Sequence, residues 1–232
     1  MESLTSEEMN LETMSKASNY NKWIFDNIKG YLGKSVLEIG GGIGNMTSFF
    51  VDRSSIVSTD ITSYNVDKLK DRFESKAFSA VKTDISKGVS DLAGFSFDTV
   101  VCINVLEHIE NDSAALRNMS SVLNIGGKLV LLVPAFNFLY GTIDKSDNHY
   151  RRYDRSSICR LVGSSGFKVA HCAYMNVPGF FGWYYHGKIL KKDTHPSGDI
   201  SLFDRLVPAF SFVERILKPP FGLSLIVIAD KI

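Results

Sequence analysis

The chain has 232 residues, which is enough for one large α/β domain, and 44% of them are hydrophobic and can supply its core. Its formal net charge of +1 shows none of the basic excess that marks nucleic-acid-binding proteins, so no nucleic-acid partner is expected. Three cysteines without a CxxC pair indicate neither a zinc knuckle nor a disulfide framework, and they favour a cytoplasmic protein.

The first elements follow a polar N-terminus. Residues 1–18 are predicted to be flexible, and residues 19–232 to form a single domain. Apolar side chains at helical spacing then predict an amphipathic helix that ends near Gly30, with Tyr20, Trp23, Ile24 and Ile28 on one face.

Strands and helices alternate through the middle of the chain. A helix is predicted from about Asn45, and another begins with Asp112 as its N-cap, runs to Val122 and is closed by Gly126-Gly127. The five predicted strands are Ser35–Ile39, Ile56–Thr59, Phe78–Thr83, Phe97–Ile103 and Lys128–Val133. This alternation predicts a Rossmann-like, doubly wound, mostly parallel sheet with helices on both faces.

The C-terminal part adds a helix over Ser156–Gly166 and strands over Phe167–Ala173 and Gly222–Ala229, which makes seven strands. Residues 175–220 are too long for a hairpin turn and are predicted to be a lid-like insertion between the last two strands. The insertion is apolar and basic, so a weak contact with a membrane surface is an alternative. Pro208 interrupts any single long amphipathic helix, which favours a lid packed on the domain.

A glycine loop follows the first strand, at Glu38-Ile39-Gly40-Gly41-Gly42-Ile43-Gly44. A dinucleotide fingerprint, G-x-G-x-x-G, would require a third glycine where this chain has Asn45. The E-x-G-x-G-x-G spacing instead resembles the first motif of the class I S-adenosylmethionine-dependent methyltransferases. The resemblance implies that Glu38 and glycines 40, 41, 42 and 44 surround the methionine part of that cofactor.

Acidic residues follow the second and third strands. Asp60 stands 20 residues after Gly40, where a carboxylate can accept hydrogen bonds from both hydroxyls of a ribose. The resemblance implies the same role for Asp60, and places Ile61 against the adenine. It also implies that Asp84 binds the adenine amino group, with Ile85 beside it. A turn aspartate is the alternative at both acidic positions.

The fourth strand ends in Asn104-Val105-Leu106-Glu107-His108, which resembles the fourth motif of the same family. This resemblance implies that Asn104 and Val105 lie at the methionine end of the cofactor. Three further stretches resemble a bacterial, type 11/12-like small-molecule subgroup often associated with sugar or lipid modification: Leu139-Tyr140-Gly141, His149–Tyr153 and Phe221–Leu225.

Candidates for acceptor chemistry surround the same strand ends. His108 and His149 are possible general bases, and local packing is the alternative for His108. Tyr150, Arg151 and Arg152 are candidates for holding an anionic acceptor, unless the arginines are paired within the protein. Tyr20 can close over the cofactor or pack in the core. No metal-ligand cluster is visible in the sequence, and no metal is expected.

The sequence therefore predicts methyl transfer from S-adenosylmethionine to a small-molecule acceptor, such as a sugar, a lipid-linked compound or a natural product. Two alternatives remain at this point. One is a nicotinamide-dependent oxidoreductase, and the other is a non-catalytic protein that keeps the methyltransferase fold.

Overall fold

A computed structural model describes residues 6–192 and 199–232 of the chain, with side chains described at 11–192 and 201–232. Its strands are β1 (Ser35–Ile39), β2 (Ser55–Asp60), β3 (Phe78–Lys82), β4 (Phe97–Ile103), β5 (Leu123–Pro134), β6 (Phe167–Met175) and β7 (Ser224–Lys231). Its α-helices are α1 (Ser6–Ser15), α2 (Ser18–Ile28), α3 (Ser63–Arg72), α4 (Asp112–Val122), α5 (Thr142–Ser146), α6 (Arg155–Gly163), α7 (Val177–Trp183) and α8 (Asp199–Leu217).

The strands form a seven-stranded sheet in the order β3-β2-β1-β4-β5-β7-β6. Strands β1 to β5 are parallel to one another, whereas β7 is antiparallel to both β5 and β6. The chain order reverses between β1 and β4, which is where a doubly wound sheet opens its ligand crevice. The predicted fold, with an insertion between the last two strands, is confirmed.

The central strands are apolar throughout because both faces of the sheet are covered. Successive side chains of a strand point to opposite faces, and β1 places Leu37 in one core cluster and Val36 in the other. On β4, Val100 and Val101 divide in the same way. Helices α4 and α6 contribute to the first cluster, and α2 and α8 contribute to the second. Because both faces are buried, the register of the strands is fixed. This register brings the carboxyl ends of the parallel strands to one edge of the sheet.

Three local predictions were wrong. Instead of an α-helix from Asn45, the glycine loop continues in turns and a short 3₁₀-helix over Thr47–Phe49, because the bonds there run from residue i to i+3. The N-cap of α4 is Asn111, whose side chain accepts from Ala114 N. The two glycines expected to close α4 lie within β5, since the strand resumes directly after the helix.

The insertion between β6 and β7 contains α7, a π-helix at Tyr184–Ile189, and α8. Helix α8 continues through Pro208, so the prediction that this proline interrupts a long helix is wrong as well. Asp204 of α8 caps the start of α2, accepting from the backbone nitrogen atoms of Asn19 at 3.2 Å and Tyr20 at 2.9 Å. Helix α1 occupies part of the segment predicted to be flexible. Among the described residues, no helix combines the length and the apolar character needed to cross a bilayer.

The Asp204 contact predicts a measurable stability effect. Asp204 is buried and joins α8 to α2, so Asp204→Ala should lower the free energy of unfolding by about 1.5–3 kcal/mol, the range for hydrogen bonds to charged groups. Denaturant unfolding measures this change. Asp67→Ala is the control, since its exposed pair with Lys70 contributes at most about 1 kcal/mol. Equal losses in the two variants would contradict the capping role.

Candidate functional site

The glycine loop and the end of β4 meet at the carboxyl edge of the sheet. Gly40 has a φ of +70°, and a Cβ there would collide with the side chain of Val105. A Cβ on Gly41 would collide with Ser58, on the neighbouring strand β2. The loop therefore needs glycine both for its backbone conformation and for its close approach to β2 and β4.

Glu38 is buried beneath this loop. The hydroxyls of Thr47 and Ser58 donate to its Oε2 at 2.5 and 2.6 Å. Burial raises the pKa of the Glu38 carboxyl group, and these two hydroxyl donors oppose part of the rise. Both bonds fall on one oxygen, so the carboxyl group retains acceptor capacity at Oε1 for a ligand on the loop.

Asp60 ties the glycine loop to the end of β2. Its Oδ2 accepts from Gly42 N at 3.0 Å, and its Oδ1 accepts from Thr62 N at 2.9 Å and from Asn65 Nδ2 at 3.1 Å. Through Oδ1, Asp60 therefore plays the structural role of a turn aspartate, which was the alternative interpretation of this residue. Oδ2 carries one bond and keeps a further lone pair that a ribose hydroxyl can use.

Helix α1 lies over the glycine loop. A Cβ on Gly42 would stand 2.9 Å from Leu11 Cδ2, and Asn45 Nδ2 donates to Leu11 O at 3.0 Å. Two shallow surface cavities lie elsewhere, one beside residues 72–78 and the other at the opposite end of the strands around Gly126. With Leu11 in this position the loop is covered, so a ligand on it requires α1 to shift.

The two residues predicted to contact the cofactor after β3, Asp84 and Ile85, are both engaged within the protein. Asp84 forms a turn, accepting from Ser86 N and Ser86 Oγ, and it pairs with Lys87 at 3.1 Å. Ile85 is buried in the core cluster below the sheet edge, so its predicted place beside an adenine is wrong. Ile61, by contrast, is exposed beside Asp60, where a flat ring can lie against it.

Asn104 and Tyr20, two further residues predicted to contact the cofactor, have different surroundings in the structure. Asn104 has a φ of +51° directly after β4 and is exposed, so its side chain is accessible to a ligand. Tyr20 instead belongs to the core, where its ring packs against Trp23 and Phe203. The core-packing alternative for Tyr20 is therefore the correct one, because α8 covers its ring.

A second group of side chains converges on Asp144, which the sequence did not single out. Its carboxylate is fully buried and accepts from Arg152 Nε at 2.7 Å and from Gly141 N at 2.9 Å. His149 Nδ1 lies 3.0 Å from the same carboxylate, and the Arg152 guanidinium stacks 4.4 Å from the Trp183 ring. Burial opposes ionisation, but His149 and Arg152 hold the pKa of Asp144 below its usual value.

The three residues predicted to hold the acceptor differ in their burial and in their hydrogen-bond partners. Arg152 is buried and also donates to Ala135 O, so it supports the site from within and cannot contact an acceptor, which corrects that prediction. Arg151 binds Asp112 at 2.8 Å and Glu110 O at 2.7 Å, which leaves only part of its guanidinium for a ligand. Tyr150 is exposed.

The two predicted bases lie in contact. The rings of His108 and His149 are 4.6 Å apart and nearly perpendicular, and Tyr150 N donates to Glu107 O at 2.8 Å, which joins the two loops. One edge of His108 reaches solvent, yet partial burial and the neighbouring His149 lower its pKa to about 4. Burial raises the pKa of Glu107 to about 7, and His149 opposes part of that rise.

Sequence comparison places this site among known proteins. A family model described as a methyltransferase domain matches residues 37–129. The fusarielin synthase of Gibberella zeae is 32% identical over 108 residues, which are 41% of this chain and 4% of that protein. The ubiquinone biosynthesis O-methyltransferase of Coxiella burnetii is 22% identical over 189 residues, which are 73% of this chain and 74% of that protein.

Solved structures share the fold. An S-adenosylmethionine-dependent methyltransferase from Mesorhizobium loti matches with a TM-score of 0.63 and 12% identity, over 90% of this chain and 98% of that one. The magnesium protoporphyrin IX methyltransferase of Synechocystis, solved with bound S-adenosylhomocysteine, matches with a TM-score of 0.58 and 15% identity, over 92% and 84% of the two chains.

The Asp144 cluster predicts an unusually costly substitution. Asp144→Ala should destabilise the protein by about 3–5 kcal/mol, because the Arg152 charge is then buried without a partner. Adding Arg152→Met should restore part of that loss, and urea unfolding of the single and double variants measures it. Asp230→Ala, which breaks a half-exposed pair with Lys128, is the control and should cost at most about 1 kcal/mol. A double variant less stable than the single one would refute this account.

Proposed function

We propose that the chain is a class I S-adenosylmethionine-dependent methyltransferase that moves the sulfonium methyl group of this cofactor to a small-molecule acceptor. The observation that carries the proposal is the contact of Asp60 with Gly42, which brings a carboxylate and a glycine loop together at the topological switch point. The acceptor is proposed to be a sugar, a lipid-linked compound or a natural product.

The residues around the loop have distinct proposed roles. Glu38 and glycines 40, 41, 42 and 44 surround the methionine part of the cofactor, Asp60 binds the ribose, and Ile61 lies against the adenine. Asn104 and Val105 form the wall between the cofactor and the acceptor. Asp84 is proposed to bind the adenine amino group through Oδ2, which pairs with the exposed Lys87 in the absence of a ligand.

The acceptor is proposed to enter beside His108, His149 and Tyr150, which lie beyond the end of β4. Methyl transfer is an in-line displacement in which the acceptor lone pair forms the new bond as the carbon–sulfur bond breaks. Much of the catalysis is then positioning of the two reactants. The named O-methylation of the Coxiella burnetii relative supports an oxygen acceptor, which also needs to lose a proton.

Neither alternative has comparable support. An oxidoreductase of the dinucleotide-binding type needs a third glycine, and Asn45 instead donates its side-chain amide to Leu11 O. A non-catalytic protein that keeps the fold would bind the cofactor without turnover, so it is separated from an enzyme by single-turnover assays with candidate acceptors.

Cofactor binding tests the proposal directly. Asp60→Ala should weaken binding of S-adenosylhomocysteine ten-fold or more, because it removes a charged acceptor and also frees the glycine loop. Gly42→Val should abolish binding, since a branched side chain is strained at a φ of +55° and fills the loop surface. Isothermal titration calorimetry measures both affinities, and circular dichroism confirms folding. Asp91→Ala, on an exposed turn, is the control. Wild-type affinity in both folded site variants would exclude this cofactor site.

The outer face of α8 supports a proposed contact with a membrane surface. Its exposed apolar side chains are Leu202, Leu206, Phe212, Val213, Ile216 and Leu217. The acidic residues Asp204 and Glu214 turn inward, and Glu214 accepts from Asn176 N and Val177 N. The exposed charged side chains of this face and of the following residue are Arg205, Arg215 and Lys218. Over residues 201–218, an apolar face edged by these positive charges matches an anionic lipid surface.

Vesicle binding tests this contact. Wild-type chain should co-sediment with vesicles containing phosphatidylglycerol, less so at high salt and less so with phosphatidylcholine alone. Ile216→Asp combined with Leu217→Asp should lower the partition coefficient at least ten-fold, since each exposed aliphatic side chain contributes about 1.5–3 kcal/mol when fully buried. Ile125→Asp, on an exposed apolar residue away from α8, is the control. Light scattering that shows a dimer dispersed by the α8 variant would instead assign this face to self-association.

A further inference from the structure

We propose that Glu107, His108 and His149 form a binding site for one zinc-like divalent metal ion at the acceptor end of the crevice. No motif in the sequence indicates this site, because Glu107 and His149 are separated by the whole of α4 and β5. In the structure, one potential ligand atom from each of the three side chains lies within 4.8 Å of the other two.

The buried oxygen of Glu107 is the observation that points to a ligand. Glu107 is 1% exposed, and its Oε2 has no hydrogen-bond partner among the residues that the structure describes. Leaving a carboxylate oxygen buried and unpaired costs free energy, so such an atom requires an explanation. A bound cation beside the two imidazoles satisfies it.

His149 is oriented as a metal-ligating histidine usually is. Its Nδ1 lies 3.0 Å from Asp144 Oδ1, which leaves Nε2 as its ligand atom. The ring of His108 lies edge-on to the ring of His149, with the two ring centroids 4.6 Å apart. A carboxylate on the far nitrogen of a histidine fixes the ring and increases its basicity toward a metal.

The ligand set indicates both the metal class and the coordination. Two imidazoles and one carboxylate form a known set of catalytic zinc sites, in which the fourth position stays open. Imidazole nitrogen favours zinc and its transition-metal neighbours over magnesium. Donor atoms on one tetrahedral zinc ion are about 3.3 Å apart, so the three side chains must close by roughly 1.5 Å.

This inference rests on the proposed function and deepens it. The acceptor oxygen would occupy the open position, where the metal charge lowers the pKa of its O–H bond. The proton passes to solvent, the oxygen lone pair attacks the methyl carbon, and the carbon–sulfur electron pair stays on sulfur as a thioether. His149 then acts as a metal ligand in place of the general base that the sequence predicts.

Metal titration tests the site without an acceptor. Untagged chain, stripped with a chelator, should bind one zinc ion by isothermal titration calorimetry, and cobalt should give the visible absorption of a tetrahedral site. Glu107→Gln, His108→Gln and His149→Ala should each weaken zinc binding at least ten-fold. His171→Gln, on an exposed histidine of β6, is the matched control and should bind as the wild type does.

The possible results distinguish the proposed metal site from the proposed methyltransferase function. Because His108 is exposed, His108→Gln should fold even if the buried variants do not, and unchanged zinc affinity in that folded variant would overturn the site. Zinc that binds no more tightly than magnesium would overturn it as well. Normal binding of S-adenosylhomocysteine to a chain that takes no zinc would reject the metal site while leaving the methyltransferase proposal intact.

Discussion

The buried carboxylate of Asp144 is the constraint on which the acceptor side of the molecule depends. It is withdrawn from solvent, and it remains ionised because the Arg152 guanidinium and the His149 ring lie against it. Separating Arg152 from Asp144 leaves a buried charge unmatched, so the loop after β5 and the start of α5 are held to one geometry. The backbone of His149 is fixed at the same place, since its N–H donates to Asp144 O at 2.8 Å and its carbonyl oxygen accepts from Tyr140 Oη at 2.8 Å.

The cofactor side is built on a different principle. Asp60 and Glu38 are held by backbone N–H groups, hydroxyls and an amide, without a buried cation. Neutral donors leave each carboxyl group with acceptor capacity that a ligand can use, whereas Asp144 spends its capacity on Arg152, His149, Gly141 and Trp183. The two carboxylates therefore differ: Asp60 keeps a lone pair on Oδ2, whereas Asp144 is saturated and holds the His149 ring in place.

The sequence predicted what depends on periodicity and on contiguous motifs. Strands β1 to β5 are mostly apolar runs that alternate with helical segments, so their parallel arrangement and the glycine loop after β1 followed from the chain. It failed where tertiary packing decides between equal local signals: Tyr20 and Ile85 became core residues, and Arg152 became buried. Asp144 and the Glu107 cluster lay beyond reach, because the residues they bring together are far apart in sequence and no spacing rule links them.

The insertion joins the acceptor side to the surface of the molecule. Trp183 of α7 stacks on Arg152, and Lys188 donates to Tyr140 O at 2.5 Å, so the helices after β6 are bonded to the loop that carries His149. Glu214 of α8 caps the start of α7, which connects the apolar face of α8 to the same unit. The contacts of Glu214, Trp183 and Lys188 therefore link α8 to the loop that carries His149, so a displacement of α8 strains the packing around Arg152.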